Sequence, residues 1–390
     1  MVSSFQQVSA SKGAIMSVEG CSRNWMLFVA LVLLSLFDLQ CWKASSAPSQ
    51  LSASAVRLRP PSSPSSPILK NLVMTIARGS DFNGVYRFVS TLRAHVDNVD
   101  IVVFTDEPSI ENNPQLKVMY DLFDVTLVYV SADSLPKLAQ GFTPTGQRHF
   151  LYRDWMRSHS EAVALSKARP YGMVLFCDSR DMYFQADPFL RLTQSDDFGG
   201  GKGFYAFYES HDSIGGSEWN WKWVYDCFGE GLRKVEREVV VCCGTSMGSW
   251  DDAFIYEEMM GGFLLFLAFA ATPSSHTDTL LSLPITAGII LNKSSCERNG
   301  SDQGVHNYIV HGGDLEAKVS ALYKVPNEEG VIMNAGIMRA VERDPSGRIL
   351  TLSGKVAASV HQYDRFPDLA RQIEGSHVWL QKDQLRAEHG

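Results

Sequence analysis

The stretch at 173–189, MVLFCDSRDMYFQADPF, constrains the fold of this chain more than any other. Its apolar beginning, 173–176, predicts a buried strand, which Asp178 and Asp181 follow directly. Open α/β sheets bind ligands beyond the carboxyl ends of their strands. Two neighbouring carboxylates repel each other unless a cation lies between them, and oxygen ligands suit Mg²⁺ or Mn²⁺. The stretch therefore predicts a divalent-metal site that holds a phosphate-bearing substrate.

Strand patterns and helix patterns alternate along the rest of the chain. Short apolar runs predict strands at 69–76, 99–105, 125–130, 203–208, 239–243, 322–325, 331–333 and 356–360. Helical patterns lie after Asp81 and at 146–167, 252–260 and 301–310. We expect a Gly-flanked turn at 244–248 and a loop at the aromatic tract 219–225. The alternation predicts an α/β fold with a mostly parallel sheet and helices on both faces.

The N-terminal part of the chain predicts membrane attachment. Residues 1–24 are polar and predict a cytoplasmic tail, and 25–42 form an apolar run close to the roughly 20 residues that span a bilayer. Residues 43–67 are rich in Ser and Pro, as in a flexible stem. The apolar run is either a signal-anchor or a signal peptide cleaved at the small residues 44–47. Both alternatives place 68–390 in the secretory lumen. The first gives a single-pass type II protein of the Golgi or endoplasmic reticulum membrane, and the second gives a secreted protein.

Composition bears on the compartment and on the partners. Asn292 and Asn299 each begin an N-x-S tripeptide, an acceptor for N-glycosylation that agrees with a luminal domain. The chain has 43 acidic and 35 basic residues and shows no basic run with interleaved aromatic residues. This charge balance excludes nucleic acid as the predicted partner. The aromatic tract 219–225 is either a packed flap or a platform on which a sugar ring stacks.

Two features of the middle of the chain leave alternatives open. One of the adjacent cysteines Cys242 and Cys243 is expected to form a disulfide in an oxidising lumen. Its partner is expected to be Cys227 or Cys296. The tract 261–288 begins with an apolar run too short to span a membrane and continues as an unusually long loop. It is either a genuine insertion or an artefact of the gene model.

Three groups of polar residues lie at the ends of predicted elements. They are Asp178 with Asp181, Asp302 with Gln303, and His361. Each group alone has a structural explanation, such as an ion pair or a helix cap. Together, two carboxylates and one imidazole at strand ends form a ligand set that suits Mn²⁺ or Mg²⁺ and leaves positions for two phosphate oxygens.

Four segments carry a resemblance to a known family: VLFCDSRDMYFQADPF, CCGTSMGS, SDQGVHN and VHQYDR. In order and spacing they resemble the nucleotide-diphospho-sugar transferases of GT-A fold, in particular glycosyltransferase family 8 and its relatives. The resemblance covers about residues 69–366, and its most specific part is the D-S-R-D element, which is similar to the family's DxD. It implies a hexosyltransferase that uses Mn²⁺ or Mg²⁺. Such an enzyme moves a hexose from a nucleotide-diphosphate sugar to a hydroxyl group of a glycan, a protein or a lipid.

The resemblance also implies roles for single residues. Asp178, Asp181 and His361 stand where the family holds its metal. Because the spacing is D-S-R-D, Asp181 is expected to bind the metal directly, while Asp178 holds a ribose hydroxyl or a water molecule. The implied donor-binding residues are Thr75, Ala77, Arg78, Arg153, Asp178, Arg180, Gly244, Thr245 and Arg365. Of these, the three at the end of the first strand would lie against the base and ribose.

Asp302 and Gln303 are implied as the catalytic residues, facing the transferred sugar and the acceptor. The stereochemistry is left open. An inverting enzyme would use Asp302, Asp251 or Asp252 as its base, and a retaining one Gln303 or the leaving phosphate. The alternative function is an inactive transferase-like or sugar-binding luminal protein held at the membrane.

Overall fold

A seven-stranded sheet forms the centre of the computed structural model, which describes residues 69–137, 139–164, 170–270, 296, 300–336, 338 and 340–376. Its strands are β1 (Asn71–Ile76), β2 (Val99–Thr105), β3 (Val125–Tyr129), β4 (Met173–Cys177), β6 (Phe204–Ser213), β7 (Val239–Ser249) and β8 (Leu322–Val325), in the spatial order β3-β2-β1-β4-β7-β6-β8. Strands β3, β2, β1 and β4 are parallel to one another, and β8 is parallel to β6. Strand β7 runs antiparallel to both its neighbours. The predicted mostly parallel α/β sheet is confirmed.

Helices cover both faces of this sheet. They are α1 (Phe82–His95), α2 (Glu107–Asn112), α3 (Pro114–Leu122), α4 (Pro144–Ala164), α5 (Pro188–Thr193), α6 (Glu218–Phe228), α7 (Trp250–Ala270), α8 (Ser301–His311) and α9 (Pro367–Ser376). Successive side chains of β1 enter different cores: Leu72 and Met74 pack into one, and Val73 into the other. A strand that is buried on both faces in this way is expected where helices cover both sides of a sheet.

A second, three-stranded sheet brings the late part of the chain next to the D-S-R-D element. It consists of β5 (Met182–Phe184), β12 (Ser359–His361) and β9 (Ile332–Asn334), with β12 in the centre. His361 pairs with Met182 across one edge and with Asn334 across the other. A two-stranded ribbon of β10 (Glu342–Arg343) and β11 (Ile349–Leu350) lies between β9 and β12 in the chain. The register of β12 therefore fixes His361 beside Asp181.

Two local predictions were wrong. The expected turn at 244–248 is part of β7, where Thr245 pairs with Cys177 and Gly248 with Val174. Its glycines lie in a strand because neighbouring groups approach the backbone closely there. The aromatic tract expected to be a loop is helix α6, in which Trp221 stacks on Tyr225 one turn later.

The disulfide prediction was also wrong. Cys227 pairs with Cys296, whereas Cys242 and Cys243 are free and buried. The reason is their position on central strand β7, where the thiol of Cys243 contacts Arg148. Cys227 lies on α6, within reach of the segment that precedes α8.

Several predicted segments fall wholly or partly outside the described residues. They include the tail, the apolar run at 25–42 and the stem at 43–67, together with Asn292 and Asn299. Of the tract 261–288, its first ten residues continue helix α7, and Leu264 among them is buried in the core. In the portion of the chain that the structure describes, no helix has the length and apolarity needed to cross a membrane.

A buried acid lies deep in the core between α4 and α7. Oε2 of Glu257 is 2.8 Å from Nδ1 of His149, and both side chains are buried. Burial raises the pKa of Glu257 well above its ordinary value and lowers the pKa of His149. Burial thus disfavours the charged form of both side chains.

This pair gives a prediction on stability. Because folding raises the pKa of Glu257 above its ordinary value of 4.5, folding takes up a proton at pH values between the unfolded and the folded pKa. In that window the uptake costs the wild type up to about 1.4 kcal/mol per pH unit, and glutamine takes up none. We expect the stability of Glu257→Gln relative to wild type to rise as the pH increases above 4.5. Urea unfolding at several pH values measures it. Glu258→Gln, an exposed neighbour that pairs with Arg157, is the control, and a pH-independent difference would contradict the prediction.

Candidate metal centre

Asp178, Asp181 and His361 meet at the carboxyl end of β4. Nε2 of His361 lies 3.4 Å from Oδ2 of Asp178 and 3.4 Å from Oδ1 of Asp181. The potential ligand atoms of the three residues all lie within 4.8 Å of one another. The sequence predicted this set of three, and the structure brings it together.

The turn between β4 and β5 orients the carboxylates of Asp178 and Asp181 toward His361. The amide of Asp178 donates to the carbonyl of Gly244 at 3.0 Å, and Oγ of Ser179 donates to the carbonyl of Ile76 at 3.2 Å. These bonds anchor the turn to β7 and β1. The D-S-R-D spacing thus does not separate the two carboxylates, which lie at equal distances from Nε2 of His361.

Asn334 sets the orientation of His361. Nδ2 of Asn334 donates to the carbonyl of Tyr208 at 2.8 Å, so its Oδ1 faces the imidazole. That oxygen lies 2.8 Å from Nδ1 of His361 and accepts a hydrogen bond from Thr245 at 3.1 Å. With its proton on Nδ1, His361 directs the lone pair of Nε2 toward the carboxylates. An outer partner that fixes the imidazole in this way is typical of histidines that bind metals.

The donor set fits a divalent cation. Nε2 of His361 and Oδ1 of Asp181 are buried without a hydrogen-bond partner. Burial would lower the pKa of His361, but Asp181 and Asp178 raise it above its ordinary value. Burial would raise the pKa of Asp178, but Arg148 and His361 hold it well below its usual range. The site therefore favours a positive charge among these atoms, and carboxylate and imidazole ligands suit Mn²⁺.

Gly244 lies directly against this cluster. A Cβ atom there would lie 2.6 Å from Cε1 of His361 and 2.7 Å from Oδ2 of Asp178. Only glycine leaves room for both side chains at this point of β7. Its neighbour Thr245 is buried and reaches the cluster through Asn334.

Arg148 is the central residue that the sequence analysis missed. Its side chain, on α4, is only 4% exposed, and its Nη1 lies 2.6 Å from Oδ1 of Asp178. Its Nη2 donates to the carbonyl of Cys243 at 2.9 Å and lies 3.3 Å from Oδ2 of Asp302. The available signal was the run of polar residues at 147–149 just before apolar residues on a predicted helix. The predicted Arg153 is not brought to the cluster, because it pairs with Asp154.

The two predicted catalytic residues have different surroundings. Asp302 is buried against Arg148, and burial raises its pKa although Arg148 opposes the shift. Gln303 is bonded into β7: its Oε1 accepts from the amide of Cys243 at 2.7 Å, and its Nε2 donates to the carbonyl of Val241 at 2.7 Å. Asp302 is thus joined to Asp178 through Arg148, while the amide of Gln303 is held by strand β7.

The predicted nucleotide-contacting residues lie at the carboxyl end of β1. Thr75 and Ala77 are buried. Nε of Arg78 donates to Asp106 at 2.9 Å, and its Nη1 donates to Gln147 at 2.6 Å. Because Gln147 precedes Arg148 on α4, the Arg78 group and the metal cluster occupy the same edge of the sheet.

The remaining candidates divide into two groups. Arg180 is exposed near the cluster, with its Nη2 at 3.5 Å from Asp181, and Arg365 is exposed just beyond β12. Asp251 and Asp252, on α7, are not brought to the cluster: Asp252 accepts hydrogen bonds from the backbone and hydroxyl of Ser320 at 2.6 and 2.7 Å.

No protein-family model matches the chain, and no curated protein sequence matches it. Among solved structures, it is similar to a galactosyltransferase LgtC in complex with donor and acceptor sugar analogues, with 13% identity and a TM-score of 0.40 over 80% of this chain and 98% of that one. An active-site mutant of LgtC shares 12% identity at a TM-score of 0.36, over 77% and 95% of the two chains. The bifunctional glycosyltransferase WbbM shares 14% identity at a TM-score of 0.42, over 83% of this chain and 52% of that one.

These structures are glycosyltransferases, the class that the sequence motifs resemble. At identities of 12–14% and TM-scores below 0.5, the likeness assigns no substrate and no role to the residues of this chain.

The close approach at Gly244 gives a prediction on metal binding. In Gly244→Ala the new methyl group would displace His361 or Asp178, so stabilisation by Mn²⁺ should be largely lost. For the wild type, Mn²⁺ at a hundredfold excess over its Kd would add about 2.7 kcal/mol to the stability. Thermal melts with and without MnCl₂ measure the difference.

Gly262→Ala is the matched control, since a Cβ atom there meets nothing within 4 Å and helix α7 continues through it. This variant should keep the full Mn²⁺ shift. An equal shift in the two variants would show that the cation binds elsewhere.

Proposed function

We propose that this chain is a metal-dependent glycosyltransferase. It moves a hexose from a nucleotide-diphosphate sugar to a hydroxyl group of a glycan, a protein or a lipid. One observation carries the proposal: Asp178, Asp181 and Nε2 of His361 converge at the carboxyl edge of an α/β sheet, with two of their atoms buried and unpartnered. Ligands of open α/β sheets bind at this edge.

The arrangement of charge suits the breaking of a sugar–phosphate bond. Negative charge builds on the leaving nucleoside diphosphate, and groups placed beforehand stabilise it best. A bound Mn²⁺ or Mg²⁺ would neutralise that charge as a Lewis acid. Asp178, Asp181 and His361 would hold the cation and leave its other positions to phosphate oxygens and water.

Arg148 orients the carboxylates on two sides of the proposed site. Its guanidinium donates a hydrogen bond to Oδ1 of Asp178, so Oδ2 of the same carboxylate faces His361. It also contacts Asp302, so one buried cation joins the metal-binding strand end to helix α8. We propose that the transferred sugar lies between Gly244 and Asp302, because Gly244 lies directly against His361 and Asp178, and Asp302 contacts the Arg148 that pairs with Asp178.

The nucleotide would extend along the same edge of the sheet. We propose that Thr75, Ala77 and Arg78 contact the base and ribose. They lie at the carboxyl end of β1, and the parallel neighbour β4 ends at the same edge of the sheet, next to its two carboxylates. The exposed Arg180 and Arg365 would contact the diphosphate.

A secretory-pathway location is proposed on three grounds. The apolar run at 25–42 and the Ser/Pro-rich stem at 43–67 suit a type II protein of the Golgi or endoplasmic reticulum membrane, and Asn292 and Asn299 suit a luminal domain. The disulfide between Cys227 and Cys296 suits an oxidising compartment.

The proposal predicts the effect of Asp181→Asn. The variant keeps the shape of the side chain but removes a negative ligand, so turnover of the nucleotide sugar should fall by about 100-fold or more. UDP- and GDP-sugars are first screened with MnCl₂ by thermal shift on the full-length protein, and hydrolysis and transfer are then measured with the stabilising donor.

Asp368→Asn is the matched control, because its side chain is 93% exposed on α9. It should retain wild-type turnover. Full activity of Asp181→Asn with Mn²⁺ would contradict the metal assignment. Stabilisation by a nucleotide sugar without any turnover would instead indicate a sugar-binding protein.

A further inference from the structure

Glu209, on β6, is a carboxylate that borders the candidate metal centre without belonging to it. It is half-buried and follows Tyr208, whose carbonyl accepts a hydrogen bond from Asn334, the residue that also contacts His361. Its hydrogen-bond partner is a neutral side chain, since Nε2 of Gln303 lies 3.3 Å from Oε2. The same Nε2 lies 3.1 Å from Oδ1 of Asn220, so amides from α6 and α8 meet next to this carboxylate.

Among the described residues, the one hydrogen bond from Gln303 leaves most acceptor positions of this carboxylate available to a ligand. An ionised carboxylate offers about four acceptor positions. Nε2 of Gln303 is also shared with the carbonyl of Val241 at 2.7 Å and with Oδ1 of Asn220 at 3.1 Å. Glu209 therefore keeps acceptor capacity on its exposed side.

Backbone strain contributes to this arrangement. Gln362 has a φ of 59°, a left-handed conformation that residues other than glycine rarely adopt. Its amide nitrogen donates to the carbonyl of Asp181 at 2.9 Å, and its Oε1 is buried without a hydrogen-bond partner. Strain of this kind costs about 1–3 kcal/mol and is concentrated at functional sites. Here the strained residue lies directly after His361, beside the candidate metal centre.

The chemistry of Glu209 selects hydroxyl groups as its ligands. A carboxylate repels a phosphate, and among the described residues no lysine or arginine donates a hydrogen bond to Glu209, whose donor is the amide of Gln303. Its free oxygen positions suit hydroxyl donors, which a sugar presents in number. The neighbouring surface agrees with a sugar, because Asn220 lies between Trp219 and Trp221, whose side chains are 64% and 40% exposed. Aromatic faces of this kind pack against the apolar face of a sugar ring.

We infer that Glu209 binds hydroxyl groups of the acceptor, and that the acceptor is a carbohydrate rather than a protein or a lipid. The inference rests on the proposed function, since only a transferase needs an acceptor. Glu209 thereby becomes an acceptor-specificity residue, separate from the metal-binding carboxylates Asp178 and Asp181.

Steady-state kinetics of Glu209→Gln tests the inference. The full-length protein is assayed with MnCl₂, with the nucleotide sugar found in the donor screen, and with methyl hexosides and disaccharides as acceptor probes. Loss of hydrogen bonds to a charged group should raise the KM for the acceptor by about 10- to 100-fold. The KM for the donor should change far less, a split that a loss of structure would not produce.

Two further variants keep the test decisive. Glu230→Gln, an exposed glutamate of the same charge, should behave as wild type. Trp219→Ala lies on the surface, so it should fold normally and raise the KM for disaccharides more than the KM for methyl hexosides.

Several outcomes would overturn the inference. They are an unchanged acceptor KM in Glu209→Gln, a parallel rise of the donor and acceptor KM, and transfer to peptide or lipid hydroxyls but not to glycosides. A wild-type protein that turns over no nucleotide sugar would overturn the proposed function itself, and the inference with it. That failure is recognised in the wild type, before any variant is made.

Discussion

The buried guanidinium of Arg148 is the interaction on which the rest of the site depends. Taking a charge out of water costs several kcal/mol, and the cost is offset only when partners surround the group. Asp178, the carbonyl of Cys243 and Asp302 provide those partners from β4, β7 and α8. The burial of the Arg148 guanidinium is therefore offset only when β4, β7 and α8 are all in their folded positions. The same contact decides which oxygen of Asp178 remains for a cation.

The carboxylates around this centre are held in two different ways. Asp178 and Asp302 both contact the guanidinium of Arg148, which fixes the direction of their side chains. Glu209 instead accepts a hydrogen bond from the neutral amide of Gln303. The first kind of environment suits the binding of charged groups, and the second suits the binding of hydroxyl groups. One edge of the sheet thus contains an ionic region and a neutral polar region side by side.

The sequence predicted the features that local pattern determines. Strand β4 and its carboxylates followed from an apolar run ending in charges, and Asp81 caps α1 as its residue type suggests. Arg148 was missed because an arginine on a helix is usually exposed, and only the packing of three elements buries it. The predicted strand ended at 243, before the true end of β7, because Gly244 and Gly248 resemble turn residues. Both are glycines because His361 and Phe204 pack closely against the backbone there, and no local sequence pattern reveals those contacts.

The central position of β12 in the small sheet has a consequence for how the protein is made. Residues 359–361 are synthesised after all seven strands of the main sheet, yet they supply the imidazole and lie between β5 and β9. On the ribosome, every strand of the large sheet is therefore made while the pair of Asp178 and Asp181 still lacks His361. The proposed cation site is completed only when β12, the last strand of the described chain, has been synthesised.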